Sequence, residues 1–267
     1  MYKYDGLVVH QSHDDEGIIE IVESEGVRAL HFGSSSRQST MSIKAPDQLH
    51  SPYARAMMAW LLFKEQPGEV LMIGLGGGTL TKYLLHHFDE CKIKVVEYRH
   101  GVVKIARSHF HLPLDPRLKI KIGEGGHFIR QHSLDLSRQY DLLMVDAFDH
   151  AGMATSVSGE AFFDSCKTLL KYDGILAINL WGTDKALFQQ VAWHLGQIFN
   201  WRILFLPVRG RGNIIGFAFN EGVAKPTLKI LKNRALTLEQ HYHLEFPAFV
   251  QDFKRNNNKV FNRVIKS

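Results

Sequence analysis

Cysteine is scarce in this chain: Cys91 and Cys166 are the two among 267 residues. They lie far apart, without the paired spacing of a zinc or redox motif, and each falls in an apolar context. That excludes a disulfide scaffold and reads both as reduced core residues of a cytoplasmic protein. Long apolar runs are missing as well. None approaches the ~20 residues of a membrane span, and the opening Met1-Tyr2-Lys3-Tyr4-Asp5 is no signal segment. No membrane association is expected. Histidine is plentiful, fifteen in all. Its tightest pairs, His109-Phe110-His111 and His241-Tyr242-His243, lack helical His-x-x-x-His spacing and a nearby cysteine pair. No metal is expected. Net charge is +5, much of it in Lys254-Arg255-Asn256-Asn257-Asn258-Lys259 and between Arg263 and Lys266. No recognition motif or interleaved aromatics accompany this basic segment. It reads as a solvated face, and no nucleic-acid partner is expected.

What remains is an ordinary globular composition, 45% hydrophobic and 22% charged, at a length that suits one large domain with a small appendage. One stretch organises it: Val70-Leu71-Met72-Ile73-Gly74-Leu75-Gly76-Gly77-Gly78-Thr79. A buried strand runs into a glycine cluster, and a helical pattern follows. Gly74, Gly76 and Gly78 let the backbone turn sharply and let a ligand approach closely. The amides of the next helix then face whatever sits above the sheet. A plain packing turn between strand and helix is the simpler alternative.

Residues 1–48 read as an N-terminal β-hairpin subdomain. Gly17-Ile18-Ile19-Glu20-Ile21-Val22-Glu23 and Val27-Arg28-Ala29-Leu30-His31-Phe32-Gly33 are β-rich runs separated by a turn. Residues 34–41 are polar and read as a loop or edge strand. Ser51-Pro52 opens a helix, with Ser51 as its cap and Pro52 in its first turn. From Val70 strands and helices alternate, with strands near residues 93–97, 118–122, 140–146 and 174–180. Residues 202–208 and 213–219, joined by Arg209-Gly210-Arg211-Gly212, read as a closing hairpin. The fold class is α/β: a Rossmann-like, S-adenosylmethionine-transferase fold spanning 49–267, with a mostly parallel seven-stranded sheet, plus the small β-subdomain.

Ligands bind at the carboxyl ends of parallel strands, so the residues that end each strand matter. The first ends in the glycine cluster. The second ends in Glu97, about twenty residues on, where an acid can accept both ribose hydroxyls of a nucleoside. The third ends in Gly123-Glu124-Gly125, and Glu124 can meet an adenine amine. The fourth ends in Asp146-Ala147-Phe148-Asp149, a carboxylate pair suited to binding and deprotonating an amine.

Taken together, these strand ends resemble the spermidine/spermine synthase (polyamine aminopropyltransferase) family, from about Glu16 to Asn220. Ser36-Arg37-Gln38-Ser39, Pro116-Arg117-Leu118 and Leu169-Leu170-Lys171-Tyr172-Asp173-Gly174 also carry the resemblance. It implies aminopropyl transfer from decarboxylated S-adenosylmethionine to putrescine or a related amine, in a homo-oligomer such as a dimer. It implies that Gln38, Gly74, Gly76, Gly78, Glu97, Glu124 and Gly125 contact the donor. Asp149 would be the proton acceptor, and Asp146 and Tyr53 would hold the acceptor amine.

The chain departs from the family pattern at several points. Gly77 stands where the family's Asp would hold the aminopropyl ammonium. Tyr98-Arg99 follows Glu97 where the family continues to an Asp, His150 follows Asp149 in place of the usual Pro, and Tyr53-Ala54-Arg55 is an offset form of the family's Tyr-His-Glu. Arg55 and Arg99 add positive charge where a polyamine wants negative. A methyltransferase using intact S-adenosylmethionine, whose carboxylate would welcome Arg99, and an inactive nucleoside-binding relative therefore stand as alternatives.

Overall fold

The computed structural model describes residues 3–147 and 155–266. A four-stranded antiparallel sheet comes first: β1 (Leu7–Asp14), β2 (Gly17–Ser24), β3 (Val27–His31) and β4 (Ser39–Ser42), in that order. The expected hairpin is β2–β3, and the polar stretch after it supplies β4 as an edge strand. The edge strand β1 has no counterpart in the sequence reading, because Leu7, Val8 and Val9 are all exposed and leave no alternating pattern.

Helix α1 (Pro52–Met57) follows and tightens into a 3-10 turn over Met58–Leu62. Ser51 occupies the N-cap position as expected, but its side chain makes no capping hydrogen bond; its carbonyl accepts from Arg55 N at 3.1 Å. The alternating part then runs β5 (Glu69–Ile73), α2 (Thr79–His87), β6 (Lys92–Glu97), α3 (His100–His109), β7 (Leu118–Ile122), α4 (Gly125–Asp135) and β8 (Tyr140–Val145). It continues with α5 (Glu160–Leu169), β9 (Leu170–Trp181), α6 (Lys185–Ile198), β10 (Ile203–Pro207) and β11 (Asn213–Phe219). Helices α7 (Leu228–Tyr242), α8 (Phe246–Asn256) and α9 (Phe261–Val264) close the chain.

The large sheet has seven strands in the order β10-β11-β9-β8-β5-β6-β7. Strands β5 to β9 pair in parallel, and β11 runs against both β9 and β10. This is the mostly parallel α/β architecture expected from the alternation. Successive residues of the central strands point to opposite faces. Leu142, Met144, Ile175 and Ala177 enter one apolar cluster, with α1, α2, α7 and α8. Leu143, Val145, Leu176 and Ile178 enter the other, with α5 and α6. Strands buried on both faces need nearly unbroken apolar sequence, as β8 has. Cys91 and Cys166 are both free and buried in these clusters, and burial pushes the Cys91 thiol up to about 12.

The small sheet packs Ile19, Ile21, Leu30 and Met41 on Val102, Ile105 and Phe110 of the α3 region. One ion pair pins it. Arg99, at the N-terminus of α3 and 9% exposed, donates to both oxygens of Asp14 at 2.6 and 3.1 Å and to Gly17 O at 3.0 Å. Its guanidinium also lies 4.4 Å from the Phe32 ring centre.

Candidate functional site

Backbone hydrogen bonds lace the carboxyl ends of the parallel strands together. Gly74 N donates to Val96 O at 2.8 Å, Gly123 N to Glu97 O at 2.9 Å, and Asp146 N to Ile73 O at 2.9 Å. The predicted strand-end residues are thereby gathered on the rim of one cavity of about 1260 Å³. Gln38, Tyr53, Gly74, Gly76, Glu97, Glu124, Gly125 and Asp146 all line it. Gly78 sits behind them as the N-cap of α2, and Asp149 lies outside the described residues.

The glycine loop is sterically required. Gly74 has φ of 93°, and a Cβ there would stand 2.2 Å from Asp146 O. Gly76 and Gly78 also take positive φ, at 53° and 70°. A Cβ on Gly125 would fall 2.3 Å from Ile73 Cγ2, so that glycine lets α4 close onto β5. Gly77 is the informative case. A Cβ there would stand 2.7 Å from Phe110 Cδ1 and 2.8 Å from Ser39 Oγ. Any side chain at this position would first have to displace those two groups.

Glu97 is 7% exposed at the end of β6. Its Oε2 accepts from Leu75 N at 2.9 Å and its Oε1 from Arg99 N at 2.8 Å. Burial raises its pKa, and these backbone N–H groups oppose the rise. Gly76 N also bonds this carboxylate, so three backbone amides hold it and about one of its roughly four acceptor sites is left. Glu124 behaves differently. It caps α4, accepting from Gly126 N at 2.7 Å, His127 N at 2.6 Å and Ser156 Oγ at 2.7 Å. Its pKa is lowered: burial works against the charge, but Ser156 and the two amides outweigh it.

Asp146 is the end of a polar chain the sequence did not reveal. Asn179 Nδ2 donates to Asp146 Oδ1 at 2.9 Å, and Asn213 Nδ2 donates to Asn179 Oδ1 at 3.0 Å. The Tyr53 hydroxyl also bonds the Asp146 carboxylate. Burial pushes the Asp146 pKa up, and it pushes the Tyr53 phenol well up, with the Asp146 charge adding to that. Asn179 is 3% exposed inside the otherwise apolar second half of β9, which was the available signal.

The two arginines read as hostile to a polyamine are both neutralised. Arg99 lines the cavity but is committed to Asp14. Arg55 is held bidentately by Glu245 at 2.5 and 3.0 Å. Opposing charge at this range offsets much of the field either would exert on a ligand, so neither stands as an uncompensated cation.

The chain is similar to known proteins. The spermine/spermidine synthase domain model matches residues 51–211. The polyamine aminopropyltransferase of Neisseria meningitidis is 32% identical over 249 residues, covering 91% of this chain and 93% of that protein. That of Chromobacterium violaceum is 30% identical over 248 residues, covering 92% and 93%. A crystal structure of spermidine synthase with the transition-state analogue AdoDATO superposes with a TM-score of 0.67 at 22% identity, covering 97% of this chain and 85% of that one. With its strand-end residues on one cavity and relatives matching over nearly its whole length, the chain belongs to the spermine/spermidine synthase family.

Proposed function

We propose that this protein is a spermidine synthase-like transferase that moves an aminopropyl group from decarboxylated S-adenosylmethionine to an amine acceptor. The observation that carries the reading is Glu97, a buried carboxylate fixed by three backbone amides with acceptor capacity left, beside glycines that admit a ligand to the backbone. A ribose hydroxyl supplies the donor such a group lacks. On this reading the adenine lies toward Glu124 and Gly125, and Gln38 covers the nucleoside from the small sheet. Asp146, with Tyr53, holds the acceptor, and Asp149 takes its proton. The acceptor nitrogen's lone pair forms the new C–N bond as the C–S bond breaks. The C–S pair returns to sulfur, which leaves as neutral methylthioadenosine. The same reading divides the chain at residue 48 and carries a cytoplasmic homo-oligomer, a setting that suits two buried free thiols.

One observation favours a second reading. Gly77 removes the family's partner for the aminopropyl ammonium, as in a methyltransferase that binds intact S-adenosylmethionine. Calorimetry with both donors, and mass spectrometry of products with putrescine as acceptor, separates the two. Tighter binding of the decarboxylated donor with an aminopropylated product is expected. Tighter binding of the intact donor with no such product overturns the first reading.

A further inference from the structure

The cavity continues past the nucleoside half of the sheet. Over β8, β9 and β11 its wall includes Asp146, Asn179, Trp181, Asn213 and Arg211. The strand order puts this wall on the side of β5 opposite to Glu97 and β7. If the donor nucleoside lies over β5, β6 and β7, this half is left for the acceptor.

Its polar groups are arranged. The chain Asn213–Asn179–Asp146 uses the amide of each asparagine in a fixed direction, so Asp146 is held from the β11 side. Arg211 stands at the far end, on the β10–β11 hairpin. That hairpin is tightly tied: Val208 N donates to Asn213 O at 2.9 Å, Arg211 N to Val208 O at 3.1 Å, and Gly182 N to Gly212 O at 2.7 Å. The Trp181 ring packs against Gly212, where a Cβ would stand 3.0 Å from Cζ2.

The hairpin carries two arginines with different commitments. Arg209 bonds the Asp252 carboxylate at 3.0 and 3.2 Å, away from the cavity. Arg211 lines the cavity, and its guanidinium makes no hydrogen bond or ion pair with any described residue. Among the described residues of this half of the wall, it is an exposed cation paired with no carboxylate. A plain diamine bound with one nitrogen at Asp146 would bring its second ammonium toward that cation. A carboxylate there would instead pair with the guanidinium in a two-point hydrogen-bonded fork.

We propose that the acceptor is an amine bearing a carboxylate, with its nitrogen at Asp146 and its carboxylate on Arg211. This rests on the transfer reading above. The bond changes are the same: the amine forms the C–N bond, methylthioadenosine leaves with the C–S pair, and the amine loses one proton. The carboxylate stays intact.

With decarboxylated S-adenosylmethionine as donor, 4-aminobutanoate and ornithine are compared with putrescine by methylthioadenosine release and product mass. Wild-type kcat/KM for at least one carboxylated amine is expected to exceed that for putrescine tenfold or more. Arg211→Gln should remove that preference mainly through KM, and Arg211→Glu should favour putrescine. Arg211 is exposed on a hairpin, so both variants keep the fold. The dissociation constant of methylthioadenosine should stay within twofold in both. Turnover of putrescine alone, with a ratio insensitive to Arg211, overturns this proposal and leaves the transfer reading standing. Weakened donor binding in Arg211→Gln also overturns it, because Arg211 would then read the donor. No transfer to any amine removes both readings.

Discussion

Gly74 and Glu97 make the site, and each does so through the backbone. The carbonyl of Asp146 occupies the space a Gly74 side chain would need. No rotamer can relieve that contact, since both partners are main chain. Gly74→Ala adds a steric clash to a strained positive φ, and a loss of roughly 3 kcal/mol or more is expected. Gly123→Ala is the control. Nothing lies within 4 Å of its Cβ position, so its effect should stay within about 0.5 kcal/mol. Urea denaturation of both variants checks this, and equal midpoints would refute the steric argument. The spacing of these glycines was readable in the sequence. The Asp146 carbonyl that makes Gly74 obligatory was not, because it comes from a strand about seventy residues away, joined to β5 only in the folded sheet.

At the scale of elements, the question is how the small sheet is held over the glycine loop. Its apolar face rests on α3, and the Arg99–Asp14 pair fixes its orientation. Ser39 then reaches Gly76 and Gly77, with its Cβ 3.5 Å from the Cβ position of Gly76. Asp14→Ala would leave the buried Arg99 guanidinium with Gly17 O as its remaining hydrogen-bond partner among the described residues. A buried cation stripped of its counter-ion is costly, and a loss of roughly 2–4 kcal/mol is expected. Limited proteolysis should show earlier cleavage within residues 7–42, and methylthioadenosine should bind more weakly, since Gln38 and Ser39 ride on this sheet. Unchanged cleavage and binding would mean that the apolar packing and the Arg28 bond to His109 O suffice to dock it. Sequence alone read Arg99 as a free charge. Nothing local marks its partner, which lies 85 positions away.

At the scale of the whole molecule, His87 supplies a pH dependence with an assignable cause. His87 lies where α2 meets α7, with ring centres of Tyr83, His86 and Tyr242 within 4.2, 4.9 and 5.2 Å. Burial, helped by His86 and His241, lowers its pKa to about 4 from an ordinary 6.5. The unfolded chain therefore binds more protons than the folded one between these values. The stabilising contribution is complete above about pH 6.5 and is lost as pH falls toward 4. The group is partly solvated, so the effect is on the order of 1 kcal/mol. Denaturation at about pH 7.5 and about pH 5 should show wild type losing that much more than His87→Gln. Parallel losses in the two proteins would remove His87 as the cause.

The sequence by itself determined the α/β class, the parallel strands and the strand-end residues, because these follow from local periodicity and from glycines and acids at fixed positions along the chain. The run Tyr140–Val145 could only be a strand buried on both faces, and it is. What tertiary structure decided was the state of every charge. It tied Arg99 to Asp14 and Arg55 to Glu245, turned Glu124 onto its own helix, held Asp146 through Asn179, and left Arg211 lining the cavity. Electrostatic partners are chosen by distance in space: the cap on Glu124 is local, but the Asp146–Asn179, Arg99–Asp14 and Arg55–Glu245 pairs lie from 33 to 190 positions apart in the chain. Sequence spacing carries no information on that scale.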